Sequence, residues 1–394
     1  MTKKILFLSH SSELYGAERV LLQTIKSLSR KEFHPLLILP RKGPFHEEAK
    51  KHAVETHVVA SQWWLTEKNR AWKQPLSWLW NLKSIVRIAR LIKEKDVDLV
   101  YSNSAVNFCG ALAAKWRKVP HIWSIHEILR ASDTSLRFLL GRKLLVAFLS
   151  AFSTRIIAYS DSAAQPFLET KKARIVPMGF KWDHGDRGLK GILREKFGLS
   201  AADFVLGSVG KIYPLKGQEN LVESIGIIKK TCPDVKLVIV GDVGDKRYFR
   251  GIKGTIAALG LEKDVIFLGY QREIFGILSM LDLLVIASEE ESFGRVAVEA
   301  MSVQTPVLAV RKDALAEVIT AGENGFLVDS PDPKTLAEAI CSIRENPERT
   351  RKVAEESARF VREKFTVENQ MRMTEGIIRE CLEMGVERAG EDSP

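Results

Sequence analysis

The 394 residues are too many for one ordinary core and suit two domains of roughly 150 to 200 residues each. With 45% apolar and 27% charged residues the composition is globular, which excludes a disordered or fibrous protein. The net charge of +10 is uneven: 29 lysines and arginines face 14 acidic residues up to Phe180, giving +15, and 30 face 35 after it, giving −5. Such asymmetry marks nucleic acid, an anionic membrane surface or a phosphorylated substrate as partner of the N-terminal half, unless it is only a solvated basic face.

The chain opens with MTKKILFLSH, whose apolar run is far too short for a signal-peptide core or a membrane span, so nothing here directs export. Cys109, Cys232, Cys341 and Cys381 show neither CxxC spacing nor a His partner at metal-ligand spacing. Reduced thiols in a cytosol, and no structural zinc, are the expectation.

Short apolar runs (ILFLSH, LLILP, DLVYSN, HIWSIH, RIIAYS, ARIVPMG) alternate with helical stretches such as AERVLLQTIKSLSRK and WNLKSIVRIARLIKEK, which predicts a parallel, helix-covered sheet. The turn-rich, charged segment MGFKWDHGDRGLKG interrupts the rhythm and reads as a linker. The plan then repeats with FVLGSVG, KLVIVGD, DVIFLGY, DLLVIAS, TPVLAV and GFLVDS. The prediction is an α/β chain with two Rossmann-like domains, 1–180 and 190–365, whose sheets face each other across a cleft. A final helical stretch, 366–394, is expected to pack back toward the N-terminal domain, and the terminal AGEDSP to be disordered.

The sharpest local feature is DLLVIASEEESFGRVAVEAM: a buried strand, an acidic turn and a helix beginning near Ser292 to Gly294. Ligands in open α/β sheets bind beyond strand carboxyl ends. Glu291 and Glu299 are eight residues apart, so on a helix they differ by roughly 80° in direction and about 12 Å in rise, and can line one cleft at different depths. A carboxylate accepts two hydrogen bonds at once, which suits vicinal sugar hydroxyls, while a helix start attracts phosphate. The bland alternative is that acidic residues at a helix start merely favour the dipole.

A second feature, FVLGSVGKIYPLKGQENLVESI, ends a strand in Gly210 and offers Lys211, Lys216 and Gly217 before a helix. Glycines let backbone approach a ligand, and two lysines can neutralise a diphosphate. Asp96-Val97-Asp98 precedes a strand rather than following one and reads as a turn, not a metal site.

ESFGRVAVEAM followed by TPV closely resembles the signature of the retaining GT-B glycosyltransferases of family 4, and Gly210 to Gly217 resembles that family's glycine and double-cation segment. The resemblance implies a GT-B fold and metal-independent, retaining transfer of a hexose-type sugar from a nucleoside-diphosphate sugar, a UDP-linked donor ahead of a GDP- or ADP-linked one. No cofactor beyond that substrate is implied. It assigns Glu291 to the donor-sugar hydroxyls and Glu299 to the ribose. Lys216 and Lys211 fall to the diphosphate, and Ser292, Phe293 and Gly294 to donor binding. Lys211 stands where the family usually has Arg, so a point charge replaces a bidentate contact.

The stretch HSSELYGAERVLL is similar to the family's G-G-x-E/Q loop, with Gly16 retained and Tyr15 in place of the first glycine. His126, followed by Glu127 after the strand HIWSI, matches a His-acid pair that the family places near donor sugar and acceptor, whereas His121 reads as structural. Base contacts are expected near Tyr270. The implied acceptor is a glycan, glycolipid or lipid-linked sugar. Residues 61–80 hold five of the eight tryptophans, with Lys68, Arg70 and Lys73 among them. This cluster, together with RFLLGRKLLVAFLSAF, suits peripheral contact with an anionic membrane and a cytoplasmic location at its inner face, or aromatic stacking on sugars, unless its rings only pack on their own domain and RFLLGRKLLVAFLSAF is a buried helix. No nucleic-acid module is present. The alternatives are a sugar-nucleotide 2-epimerase of the same architecture and a catalytically inactive glycan-binding relative. A dehydrogenase lacks its GxGxxG here.

Overall fold

A computed structural model of the chain describes residues 2–65, 74–129, 138–182 and 189–391. It divides into two compact units, Met1–Gly179 with Val367–Pro394, and Phe180–Thr366.

The first unit is a seven-stranded parallel sheet of β1 (Lys3–Leu8), β2 (Phe33–Leu39), β3 (Glu55–Val58), β4 (Leu99–Asn103), β5 (His121–Ile125), β6 (Arg155–Ala158) and β7 (Ala173–Ile175), ordered 3-2-1-4-5-6-7. Its helices are α1 (Gly16–Ser27), α2 (Pro44–Lys51), α3 (Gln74–Glu94), α4 (Cys109–Arg117), α5 (Arg142–Ala151) and the short α6 (Asp161–Ala164). The central strands are buried on both faces, which is why their sequences are continuous apolar runs rather than alternating ones. The edge strand β3, half-exposed ETHV, lacks that signal and escapes the sequence reading.

The second unit opens with α7 (Leu189–Lys196) and builds a six-stranded parallel sheet from β8 (Phe204–Val209), β9 (Val235–Val240), β10 (Val265–Gly269), β11 (Leu283–Ile286), β12 (Val307–Val310) and β13 (Phe326–Val328), ordered 10-9-8-11-12-13. Between and after the strands run α8 (Gln218–Ile228), α9 (Lys246–Ala258), α10 (Phe275–Met280), α11 (Arg295–Ser302), α12 (Asp313–Val318), α13 (Pro333–Glu345) and α14 (Pro347–Lys364).

The last helix, α15 (Val367–Glu391), belongs to the first unit. Buried Gln370 accepts from Gly179 N at 2.8 Å and donates to Thr24 Oγ1 at 3.2 Å, and Glu380 pairs with Arg155 and Arg174 at 2.5 and 3.1 Å. The disorder expected of AGEDSP does not hold for its first half, because the helix runs on through Glu391; once nucleated, each added residue gains a hydrogen bond. The linker centre, 183–188, lies outside the described residues.

Both sheets reverse direction at their first strand. β1 sits between β2 and β4, and β8 between β9 and β11. The chain therefore diverges at two carboxyl edges, each leaving a crevice of the kind that receives ligands. Asp96 to Asp98 forms the turn expected between α3 and β4: Asp98 accepts from Lys4 N and Lys3 Nζ, both at 2.8 Å.

Candidate functional site

In the second unit the crevice is built by the loops after β8 and β11. Gly217 caps α8 with φ 65°, and a Cβ there would collide with the carbonyl oxygen of Ala287, just past β11. Only glycine allows both the turn and that approach. Glu289 N also donates to Leu215 O at 2.9 Å, so the two loops are laced by backbone. This closeness brings Lys216 Nζ to 2.6 Å from Glu291 Oε2, with the side chains 30% and 21% exposed. Residues 75 apart in sequence thus form one half-exposed ion pair, so the cation assigned to phosphate and the carboxylate assigned to sugar are held against each other.

Gly294, at φ 78°, caps α11 and, as a glycine, brings no side-chain cap to its first turn. A helix start left without a capping side chain keeps its N–H groups for an anion. Glu291 itself is anchored through its backbone: its N–H donates to Asp313 Oδ2 at 3.3 Å, and its carbonyl accepts from Ala314 N at 3.2 Å. Phe293 sends its ring into the core, stacked on Phe180 at 5.9 Å and edge-on to Phe365 at 5.7 Å, so it shapes the turn instead of offering a side-chain contact.

Glu299, expected to line the cleft at a different depth from Glu291, is buried and paired. It is 5% exposed, and its Oε1 accepts from Arg295 Nε at 2.7 Å. Arg295 lies over the Phe180 ring at 5.1 Å, which holds the guanidinium in place. The i, i+4 spacing of Arg295 and Glu299 is the sequence signal that would have found this pair. Lys211 is exposed, with its stem against Gly244. Tyr270 is half-exposed beyond edge strand β10, and Ser292 lies in the same turn as Glu291.

The crevice of the first unit is assembled from the ends of β1, β4 and β5. His126 Nε2 lies 2.8 Å from Asn103 Oδ1 and 3.3 Å from Ser124 Oγ, and its ring stacks on Tyr159 at 4.7 Å. Burial, with the neighbouring charge of His10, pushes its pKa down to about 3. The imidazole is therefore neutral at ordinary pH, and with Nε2–H donating to Asn103 its Nδ1 carries a lone pair. Glu127 acts as a pin, not a partner for a ligand: it accepts from Ala105 N at 3.0 Å, from His126 N at 3.1 Å and from the Ser104 hydroxyl.

His10 and Glu18 carry the charge of this edge. His10 Nε2 sits 3.0 Å from Glu18 Oε1, both side chains nearly buried. Burial alone lowers the His10 pKa, but Glu18, with Glu127 behind it, outweighs that and raises it above the ordinary value. Asn103 Nδ2 reaches Ala17 O at 3.3 Å, which ties the edge to the start of α1. At that start Gly16 has nothing within 4 Å of where a Cβ would stand, and the Tyr15 ring is 59% exposed, so the missing glycine costs the loop no room. Sequence reasoning missed His10 and Asn103 and left unnamed Glu18, the acidic position of the G-G-x-E/Q loop; His10 follows β1 as His126 follows β5, which is the one pattern that points to it. His121 is structural, as its position implies: buried, bonded to Phe152 O and Ser102 Oγ at 2.9 Å each, with its pKa pushed down to about 3 by burial.

Residues 15–181 match the family model "Glycosyltransferase Family 4", and residues 190–360 match "Glycosyl transferases group 1". A D-inositol 3-phosphate glycosyltransferase from Segniliparus rotundus is 32% identical over 46% of this chain, the match spanning only 41% of that relative's length. The UDP-Gal:alpha-D-GlcNAc-diphosphoundecaprenol alpha-1,3-galactosyltransferase of Escherichia coli is 24% identical over 84% of this chain and 86% of its own. Among solved structures, Anabaena HepE in complex with UDP superposes with a TM-score of 0.82 at 26% identity, over 96% of this chain and all of the other.

Proposed function

We propose, because this chain belongs to the glycosyl transferases group 1 of glycosyltransferase family 4, that it transfers a hexose-type sugar with retention from a nucleoside-diphosphate sugar to a glycan, glycolipid or lipid-linked acceptor. Its fold is the GT-B type, two Rossmann-like units each with a parallel sheet. The observation that carries the reading is the Lys216–Glu291 pair beside the uncapped start of α11. A UDP-sugar entering there exchanges the internal ion pair for two external ones: Lys216 turns to the diphosphate and Glu291 to the sugar hydroxyls. HepE binds UDP, and the Escherichia coli relative is named for a UDP-linked sugar and a diphosphoundecaprenol acceptor, which supports UDP as the nucleotide and a lipid-linked acceptor.

As the glycosidic bond breaks, negative charge grows on the β-phosphate. Lys216, Lys211 and the α11 dipole meet it, a preorganised arrangement that does not require a divalent cation. Glu299, held by Arg295, is the ribose group, with Ser292 and the Gly294 turn beside the phosphates and Tyr270 near the base. His126, neutral and with Nδ1 unprotonated, accepts a hydrogen bond from a sugar or acceptor hydroxyl. Among the described residues no helix is long and apolar enough to cross a membrane. The basic charge of the N-terminal half supports a peripheral placement on the cytoplasmic face of an anionic membrane.

Nucleotide release from a panel of UDP-, GDP- and ADP-sugars, with polyprenyl-diphosphate-linked acceptors and with EDTA present, tests the reading. A UDP-sugar turned over in EDTA, with an α-linked product, supports it. Epimerised donor would favour the 2-epimerase. No turnover, with UDP failing to raise thermal stability, would leave a non-catalytic protein.

A further inference from the structure

The second half of α3 follows the ordinary rule, with Ile85, Ile88, Ala89 and Ile92 buried and Arg87 and Arg90 in solvent. Its first half is inside out. The buried positions are Gln74, Ser77, Asn81 and Ser84. Gln74 Oε1 accepts from Leu139 N at 2.8 Å, Asn81 bonds the backbone of Gln62 in both directions at 2.9 and 2.8 Å, and Ser84 donates to Ala60 O at 2.6 Å. Meanwhile Leu76, Leu79, Trp80 and Leu82 are 55%, 65%, 65% and 56% exposed. With Ser77 donating to Gln74 O at 2.7 Å, four polar side chains are thus satisfied inward, and that bonding fixes four large apolar ones outward.

At about 100° per residue, Leu76, Leu79, Trp80, Lys83, Arg87 and Arg90 fall on one outward stripe, apolar in its first turns, cationic in the next two and closed by exposed Glu94 at the end of the helix. The neighbours extend the pattern. On α4, which packs on α3 through Arg117 Nε to Ala89 O at 2.7 Å, Trp116 is 57% exposed. At the start of α5, exposed Leu140 and Leu144 flank Arg142 and Lys143. Crossovers of one hand put all three helices on the same side of the sheet. The tryptophan cluster itself contributes less than its composition predicts: Trp64 is buried among Phe108, Phe138 and Phe148, and Trp78 packs on Phe138. Trp72, Lys68, Arg70 and Lys73 lie outside the described residues.

We propose that this stripe, with Leu82 on its flank, seats the protein on an anionic bilayer: Leu76, Leu79 and Trp80 enter the interface, and Lys83, Arg87 and Arg90 meet lipid phosphates. An apolar patch bordered by cations on one continuous face complements an apolar interior bordered by phosphates. The inference deepens the membrane contact proposed above by locating it.

The test is flotation of the full chain with vesicles of phosphatidylcholine alone or mixed with phosphatidylglycerol, at low and high salt. Wild type should float with the anionic vesicles, fail with the neutral ones, and lose binding as salt rises. Replacing Lys83, Arg87 and Arg90 by Gln should weaken binding about a hundredfold, at roughly fivefold per charge. Leu79→Ser with Trp80→Ser should weaken it about tenfold or more. Both variants should keep wild-type thermal unfolding and UDP-sugar turnover without vesicles, which reads the catalytic proposal separately. Wild type absent from anionic vesicles at low salt, or variants floating as wild type does, overturns the inference. So does a solution dimer that Leu79→Ser with Trp80→Ser dissociates, since the face would then belong to a second copy.

Discussion

The two units share a sheet topology and a switch point, yet they dress it with opposite chemistry. The edge after β8 and β11 carries a half-exposed ion pair, glycine turns and an uncapped helix start. The edge after β1, β4 and β5 carries buried imidazoles, a carboxamide and a buried carboxylate. A half-exposed pair between two flexible side chains is weak and easily exchanged for a ligand. A buried one is costly to open, and it orients what surrounds it. The second unit's pair is therefore the one a ligand can displace, and the first unit's the one that holds still.

The largest effect that sharpens this contrast is catalytic. Lys216→Ala should lower kcat/KM for nucleotide release by about 10²- to 10³-fold, with thermal unfolding hardly moved because the pair is half-exposed. Glu291→Gln should damage turnover comparably and mainly through donor use. If either variant unfolded well below wild type, the pair would be structural and the comparison would break.

In the first unit the order reverses. Glu18→Gln leaves a buried histidine without its counter-charge and should cost about 3 kcal/mol. The His10 pKa should drop, since burial is then opposed only by the Glu127 charge and the Asn103 backbone. Because the folded pKa is raised, the stabilisation from the pair is complete below the unfolded value near 6.5 and disappears as pH rises through the folded one. Imidazole chemical shifts followed against pH, with urea unfolding at matched pH, measure both parts.

His121 has the opposite sign. Its folded pKa, down at about 3, favours the neutral ring, so its contribution is present above 6.5 and is lost as pH falls from 6.5 toward 3. His121→Gln should lower stability at neutral pH by removing two hydrogen bonds, yet flatten its acid dependence by up to one proton. Urea unfolding midpoints across pH 4 to 7 give that slope. An unchanged slope would show that His121 titrates normally.

The same contrast explains what is legible in the sequence. The second unit's site lies in two contiguous segments, 205–217 and 282–301, whose order of glycine, charge and strand end survives in one dimension. Even there the spacing leaves the pairing of Glu299 unread, because helical geometry gives direction but not which neighbour, here Arg295, claims the carboxylate. The first unit's site draws single residues from three distant strand ends, His10, Asn103 and His126, and nothing local marks them as neighbours. Edge strand β3 and the inside-out start of α3 escape for a related reason: burial patterns that break the apolar-inside rule give no periodic signal.

The smallest expected effect tests where the chain departs from its family. Tyr15 replaces a glycine, which on sequence grounds disturbs the loop entering α1. The structure removes that objection, since Tyr15 is extended at φ −83°, caps α1 without a side-chain bond, and holds its ring 59% exposed. Tyr15→Gly should thus shift stability by no more than about 0.5 to 1 kcal/mol, through chain entropy. Turnover should stay within about twofold, roughly 0.4 kcal/mol in barrier. A gain of tenfold or more in turnover would mean that the ring itself obstructs a ligand at Gly16; a comparable loss would mean that it contacts one. Either result would make the first unit's edge less rigid and more substrate-shaped than its buried histidines imply.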